Sequence, residues 1–100
     1  MARAFPEVTL IWAHMGVPHY PELAVEVAHE FSNLYLEGTD VNAWLIANAV
    51  RELGPEKVIW GTDAPFCDYE WEFKKMTRVT DSKERYELLV GGNIARLMRL

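Results

Sequence analysis

Positions 58–66 of this 100-residue chain have the sequence VIWGTDAPF. The run follows the Gly54-Pro55 break and begins with adjacent β-branched residues, which is typical of a strand buried on both faces of a parallel sheet. Asp63 follows just past the carboxyl end of this predicted strand, where open α/β sheets and (β/α)8 barrels place ligand-binding and catalytic groups. An Asp with a Pro two positions later is also typical of an ordinary turn or helix start, so the spacing alone leaves both interpretations open.

Two upstream segments predict further strands. Val8–His14 is almost continuously apolar and ends in His14, and Leu34–Glu37 is a shorter segment followed by the turn residues Gly38-Thr39-Asp40. Together with Val58–Gly61, these segments give three strands.

Helical patterns separate and follow these strands. Pro21–Glu30 has an apolar stripe at helical spacing, with Pro in the first turn. The other predicted helices are Val41–Leu53 with Asp40 as N-cap, Tyr69–Val79, a helix from a capping box at Asp81 to Val90 that Gly91-Gly92 breaks, and Ile94–Leu100 with Asn93 as N-cap.

Alternating strands and helices predict an α/β fold with a parallel sheet. Because parallel strands end at the same edge, His14, Glu37 and Asp63 should emerge on one rim of the sheet. One imidazole and two carboxylates on a common rim could bind a divalent cation or share a proton-transfer task.

Composition limits the function classes. The formal net charge is −5, and Lys74-Lys75 is the only cluster of basic residues, which argues against nucleic acid as a partner. Cys67 is the single cysteine, and no apolar run approaches the roughly 20 residues needed to span a bilayer. We therefore expect one domain over residues 1–100 that is cytoplasmic, acts on a small-molecule substrate and has no membrane partner.

Four segments, taken in order, resemble the amidohydrolase-related family (amidohydrolase 2), which comprises metal-dependent (β/α)8 hydrolases and decarboxylases. They are Ala13–Gly16, Asn33–Leu36, Glu52–Phe66 and Gly92–Leu97. The resemblance implies that the three strands correspond to the last three strands of a TIM barrel. It also implies that Asp63 is a metal ligand, that His14 is a catalytic acid/base or a second ligand, and that the metal is a divalent ion, with Zn²⁺ expected.

The chain lacks one motif that is typical of the family. No two of its histidines are separated by a single residue, whereas family members carry a His-x-His pair after the first strand. Catalytic zinc sites take about three protein ligands, so Asp63 and His14 would form an incomplete site. The expectation is a truncated barrel, inactive alone, that self-associates or docks on the missing N-terminal part of the barrel.

Three functions stay open at this stage. The resemblance favours hydrolysis of an amide, ester or lactone by metal-activated water, and decarboxylation on the same rim is the alternative within the family. A non-catalytic fragment or interaction module is the alternative of another class. Single residues also keep two interpretations: His14 as a strand-end histidine bonded to a neighbouring loop, Glu37 as a substrate contact or ion-paired residue, and Cys67 as a free thiol rather than a nucleophile.

Overall fold

A computed structural model describes residues 1–100 and contains one parallel sheet of three strands. The strands are β1 (Leu10–Trp12), β2 (Leu34–Glu37) and β3 (Val58–Ile59), in the order β1-β2-β3. Leu10 of β1 is in register with Leu34, and Leu36 of β2 is in register with Val58. The predicted α/β class and the parallel direction of all three strands are confirmed.

Five α-helices follow or connect the strands. They are α1 (Pro21–Glu30), α2 (Ala43–Leu53), α3 (Tyr69–Lys75), α4 (Lys83–Glu87) and α5 (Asn93–Leu97). Short 3-10 turns lie at Ala13–Gly16, Pro55–Lys57 and Met76–Arg78, and a π-helical turn at Leu88–Gly92 joins α4 to α5. None of these helices combines the length and the apolar character that crossing a bilayer requires.

The core lies between the sheet and helices α1 and α2. Leu34 and Leu36 alternate along β2 with Tyr35 and Glu37, and only the two leucines are buried in the core, as the two-residue period of a strand requires. Helix α1 packs on β2, helix α2 packs on β3, and the two helices contact each other. The small residues Ala24, Ala28 and Ala49 are fully buried and let these elements approach closely.

The free edge of β3 is covered by the C-terminal segment. The Trp60 N–H donates to Leu89 O at 3.0 Å. The Asn93 side-chain amide, which is fully buried, donates to Val58 O at 2.8 Å and to Pro55 O at 2.6 Å. The prediction that Gly91-Gly92 breaks the helix is therefore wrong, because a π-helical turn carries the chain through both glycines and places Leu89 and Asn93 against this edge.

The prediction that Asn93 caps the last helix is also wrong. Asn93 has helical backbone angles as the first residue of α5, and its amide serves the strand edge. Two other predicted caps also differ: Asn42 rather than Asp40 caps α2, and Ser82 rather than Asp81 caps α4. Helix α3 ends earlier than predicted, because the chain passes into a 3-10 turn after Lys75.

Strand β1 is shorter than predicted because the backbone turns at its carboxyl end. His14 and Met15 have positive φ angles of 57° and 46°, which a strand cannot include. Asp40 has a φ of 56°, which also excludes it as an N-cap because a cap residue has extended angles.

We predict that Asn42→Ala lowers the free energy of unfolding by about 1 kcal/mol, because the Asn42 Oδ1 accepts from the Leu45 N–H at 3.0 Å. Urea denaturation followed by circular dichroism measures this loss. Asn48→Ala, the same substitution inside α2, is the control and should leave stability nearly unchanged. It removes only an exposed hydrogen bond from the Arg51 side chain, and Ala favours a helix interior more than Asn does. Equal losses in both variants would contradict the assignment of this cap.

Candidate functional site

The candidate site lies on the rim formed by the carboxyl ends of the strands. His14 follows β1, Glu37 ends β2 and Asp63 follows β3, so the structure places all three on the same rim, as predicted. The backbone leaves each strand through a left-handed residue, with φ of 57° at His14, 56° at Asp40 and 50° at Asp63. Left-handed angles at residues other than glycine are uncommon and concentrate at functional sites, because the surrounding structure must hold them.

The loop after β2 fixes the orientation of the His14 imidazole. Its Nδ1 lies 3.0 Å from Thr39 O, and because a carbonyl oxygen only accepts, Nδ1 carries the proton. In the neutral ring, Nε2 then holds the lone pair and is free to take a proton or bind a metal. The interpretation of His14 as a strand-end histidine bonded to a loop is therefore correct as geometry, and this bond fixes the ring with Nε2 unbonded.

The surroundings favour the charged form of His14. The hydrogen bond to the Thr39 carbonyl is the largest influence and raises the pKa of the imidazole above its usual value. Partial burial lowers the pKa, and the carboxylates of Glu37, Asp63 and Asp40 raise it. The charge of Asp63 thus acts on the His14 ring.

Glu37 holds the loops together at the centre of the rim. Its Oε2 accepts from the His14 backbone N–H at 3.1 Å, and its Oε1 accepts from the Thr39 N–H at 2.6 Å and from the Thr39 hydroxyl. It forms no ion pair, so the ion-paired interpretation of this residue is wrong. Thr39, only 2% exposed, joins Glu37 to His14, and sequence reasoning missed it.

Gly61 lies where β3 passes this network. A Cβ added at Gly61 would lie 2.6 Å from Thr39 Oγ1 and closer still to Glu37 Oε1. Two sequence features could have identified this network. Thr39 lies two positions after Glu37 at the end of β2, and Gly61 lies two positions past the end of β3.

Asp63 is exposed, and its carboxylate accepts no hydrogen bond from the chain. Its carbonyl oxygen accepts from the Phe66 N–H at 2.9 Å and from the Cys67 N–H at 3.3 Å. Both interpretations of this residue are therefore compatible: the backbone forms a turn, and the carboxylate is left available at the rim.

The other residues weighed from the sequence lie outside this arrangement. His19 and His29 are exposed, His19 in the loop before α1 and His29 on α1 itself. Cys67 is a free cysteine whose thiol pKa is raised, first by burial and then by the charges of Asp40, Asp63 and Glu72. A raised pKa disfavours the nucleophilic thiolate, in agreement with the interpretation as a plain thiol.

The donor set on the rim fits a divalent metal in kind but not in number. A His14 imidazole nitrogen and an Asp63 carboxylate are ligands that suit transition metals such as zinc and manganese. No group of three or more His, Cys, Asp or Glu side chains in residues 1–100 is arranged to hold a metal ion. His14 and Asp63 are thus two candidate ligands, whereas catalytic zinc sites take three from protein.

Comparison with known families assigns the chain to a family. The amidohydrolase family matches residues 1–100, the whole length of the chain. The chain belongs to the amidohydrolase family. No curated protein matches this amidohydrolase chain.

Three solved structures of decarboxylases are similar to the amidohydrolase chain. The 5-carboxyvanillate decarboxylase LigW from Sphingomonas paucimobilis matches with a TM-score of 0.77 at 18% identity, over 99% of this chain and 36% of that chain. A dihydroxybenzoic acid decarboxylase from Polaromonas sp. JS666, with bound manganese and the inhibitor 2-nitroresorcinol, matches with a TM-score of 0.76 at 21% identity, over 99% of this chain and 36% of its own.

The third is a 2,6-dihydroxybenzoate decarboxylase in complex with 2,6-dihydroxybenzoate, with a TM-score of 0.76 at 17% identity, over 98% of this chain and 36% of that chain. At these identities the likeness concerns the fold, which is that of the TIM-barrel decarboxylases of amidohydrolase type. The amidohydrolase chain spans about a third of the length of each of these structures, 36% in every case.

We predict that the 100-residue chain binds Zn²⁺ or Mn²⁺ no more tightly than about micromolar, because Asp63 and His14 are too few ligands for a tight site. Isothermal titration calorimetry measures the affinity, and Asp63→Ala should change metal uptake little. Tight stoichiometric binding that Asp63→Ala abolishes would show that the site completes itself in another way, for example across a subunit interface.

Proposed function

We propose that this chain supplies the His14–Asp63 part of a metal-dependent active site. We also propose that the complete enzyme decarboxylates a small aromatic acid. The observation that carries the proposal is the hydrogen bond from the His14 Nδ1 to Thr39 O, because it leaves Nε2 free on the rim that Asp63 shares. The three similar structures named above are decarboxylases, which favours this reaction over others of the family.

The chain's own residues have separate roles in this proposal. Asp63 would hold the metal through its exposed carboxylate, and His14 would transfer a proton at Nε2 or bind the metal there. The divalent metal, manganese in one similar structure, would supply positive charge that orients and polarises the substrate. Glu37 and Thr39 position the His14 ring, and the hydrogen bond to the Thr39 carbonyl raises the pKa of the imidazole, which favours its protonated form.

In decarboxylation the bond from the ring carbon to the carboxylate breaks and CO₂ leaves. The electron pair of that bond stays on the ring carbon, which takes a proton in place of the carboxylate. His14 in its imidazolium form has that proton to give, and a proton from water restores the residue afterwards.

Hydrolysis of an amide, ester or lactone is the second candidate, and the family itself favours it because the family matched is described as Amidohydrolase. The same rim would serve, with His14 taking a proton from water and Asp63 holding the metal that activates it. The two reactions differ in product, so one assay separates them.

The test uses the complete gene product with Mn²⁺ or Zn²⁺ and two probe substrates, 2,6-dihydroxybenzoate and a phenyl ester. Carboxyl-labelled 2,6-dihydroxybenzoate should release labelled CO₂, and His14→Asn and Asp63→Asn should each lower the rate by roughly 100-fold or more. His29→Asn, on the exposed surface of α1, is the matched control and should keep the full rate. Ester hydrolysis without CO₂ release would favour the second candidate, and no turnover of either probe would overturn both.

We also propose that the chain associates with a second copy through the edge of β1. The Leu10 N–H donates to Asn33 O, so by the alternation of a parallel ladder Ile11 directs its own N–H and C=O away from β2. Ile11 is 45% exposed and Val8 is 42% exposed, and an uncovered apolar edge favours pairing with another strand.

Light scattering over a dilution series should therefore show a species larger than 11.5 kDa, and Ile11→Lys should shift it towards the monomer. Thr9→Lys, two residues earlier in the chain and before the start of β1, controls for the added charge. A monodisperse monomer at all concentrations would show that the β1 edge needs no partner.

A further inference from the structure

A concave region lies beside the rim, between the start of α2 and helix α3. It is a cleft of about 430 Å³, a size typical of small-molecule sites. Its walls contain Asp40 at the end of the β2 loop and the side chains of Trp71, Lys74, Lys75 and Arg78. His14, Glu37 and Asp63 are not part of its lining, so the candidate active site does not account for it.

The floor of the cleft is a buried ion pair. Lys75 Nζ lies 2.5 Å from Glu72 Oε2, with the two side chains only 7% and 4% exposed. Lys75 Nζ also donates to Gly38 O at 3.0 Å. An ammonium group has three donors, so one donor of this buried cation is left without a hydrogen-bond acceptor in the chain.

The cleft has a net positive charge, whereas the whole chain is negatively charged. Lys74, Lys75 and Arg78 provide three positive charges against the negative charges of Asp40 and Glu72, while the whole chain has a net charge of −5. The Glu72 charge is balanced by Lys75, so the open part of the cleft holds the exposed cations Lys74 and Arg78 against the single exposed carboxylate of Asp40 and keeps a net positive charge. Such an arrangement attracts a small anion.

The wall also offers an aromatic surface. Trp71 is 65% exposed, although α3 has a covered side on which Glu72 and Lys75 are buried. An exposed indole can stack on a flat ring, and Asp40, also exposed, can accept hydrogen bonds from hydroxyl groups.

We propose that this cleft binds a ring-bearing organic phosphate of the nucleoside monophosphate class. The phosphate lies between Lys74 and Arg78 and takes the remaining donor of Lys75, and the flat ring stacks on Trp71. Asp40 accepts from the sugar hydroxyls. The ligand places no group on His14 or Asp63, so the site is independent of the reaction proposed above.

Adenosine 5′-monophosphate is the probe, with adenosine and inorganic phosphate as separate arms, and ¹H–¹⁵N NMR titration as the measurement. The monophosphate should shift the Trp71 indole and the backbone signals of residues 71–78. Adenosine and phosphate alone should each bind more weakly. Trp71→Ala should weaken binding at least about fivefold, and Lys74→Ala and Arg78→Ala about two- to fivefold each.

Matched controls exist for both kinds of variant. Trp44→Ala removes an indole that is 72% exposed on α2 and does not line the cleft, and Lys83→Ala removes a lysine remote from the cleft. Both should leave the affinity unchanged. Equal shifts with adenosine and with the monophosphate, shifts confined to His14 and Asp63, or no shifts at roughly 10 mM ligand would each overturn the proposal.

Discussion

Gly61→Ala is expected to destabilise the fold by about 1 to 3 kcal/mol, although it adds a single methyl group. The added Cβ would lie 2.6 Å from the Thr39 hydroxyl oxygen and closer still to Glu37 Oε1, well inside van der Waals contact. Thr39 is 2% exposed and is bonded to Glu37 through both its N–H and its hydroxyl, so neither side chain can withdraw without losing a hydrogen bond.

The loss should extend beyond stability because the same two residues position His14. Glu37 accepts from the His14 backbone N–H, and Thr39 O holds the imidazole Nδ1. If the methyl group moves Glu37 or Thr39, the His14 ring loses its fixed orientation. The ¹⁵N chemical shifts of the imidazole should then report a mixture of tautomers, whereas the native chain should show the Nδ1–H form at high pH.

Gly91→Ala is the matched control. A Cβ at Gly91 meets no atom within 4 Å, and the residue lies in the helical turn Leu88–Gly92. Because Ala favours helical backbone over Gly, this variant should gain up to about 1 kcal/mol in unfolding free energy. Urea denaturation of the two variants measures both changes, and an Ala at position 61 that costs no more than one at position 91 would contradict the proposed contact.

The sequence predicts the sheet well because buried strands require apolar residues at regular positions, and these positions can be read from the sequence. Leu34 and Leu36 alternate with polar or amphipathic residues, and Val58 and Ile59 form an apolar run after a break, so the strands and their direction follow from pattern alone. The rim positions of His14 and Asp63 follow from the same argument, because any residue just past a parallel strand must lie there.

The helix starts are predicted less well, because capping depends on backbone angles that the sequence does not show. Asp40 is as good a capping residue as Asn42 by type, but the chain leaves β2 through a left-handed turn at Asp40 and begins the helix two residues later. Asn93 is a good capping residue by type as well, yet its side-chain amide donates a hydrogen bond to Val58 O on the edge of β3.

The contacts missed entirely join residues distant in sequence. Lys75 is 37 positions from Gly38, whose carbonyl oxygen it reaches, and no local pattern links the two. A lysine in a helix is expected to be exposed, so the burial of Lys75 and Glu72 contradicts the usual preference of both residue types. Only the packing of α3 against the loop after β2 explains it.

Lys75→Met is the second substitution with a large expected effect, a loss of about 3 to 5 kcal/mol in the free energy of unfolding. The ion pair is nearly dry, with the Lys75 and Glu72 side chains 7% and 4% exposed. Removing the ammonium leaves the Glu72 carboxylate buried without its partner and removes the donor to Gly38 O. Methionine keeps much of the length and volume of lysine, so the loss should report charge and hydrogen bonding rather than a cavity.

A second variant separates these contributions. In Lys75→Met with Glu72→Leu, no charge is left unpaired, and replacing both members of a buried pair by apolar groups is often close to neutral. The double variant should therefore recover most of the loss and retain only the cost of the lost hydrogen bond to Gly38 O, about 0.5 to 1.5 kcal/mol, because this oxygen still accepts from the Val41 N–H at 3.3 Å. A double-mutant cycle completed with Glu72→Leu gives the coupling between the two side chains.

The exposed pair Lys83–Glu87 is the internal control, since its nitrogen and oxygen lie 3.8 Å apart with side chains 83% and 64% exposed. Lys83→Met should change the free energy of unfolding by less than about 0.5 kcal/mol, because water already solvates both charges. If Lys75→Met costs no more than Lys83→Met, the Glu72–Lys75 pair is hydrated in solution and does not fix the loop after β2. If the double variant is as unstable as Lys75→Met alone, the ammonium stabilises the loop after β2 mainly through its hydrogen bond to Gly38 O rather than through its charge.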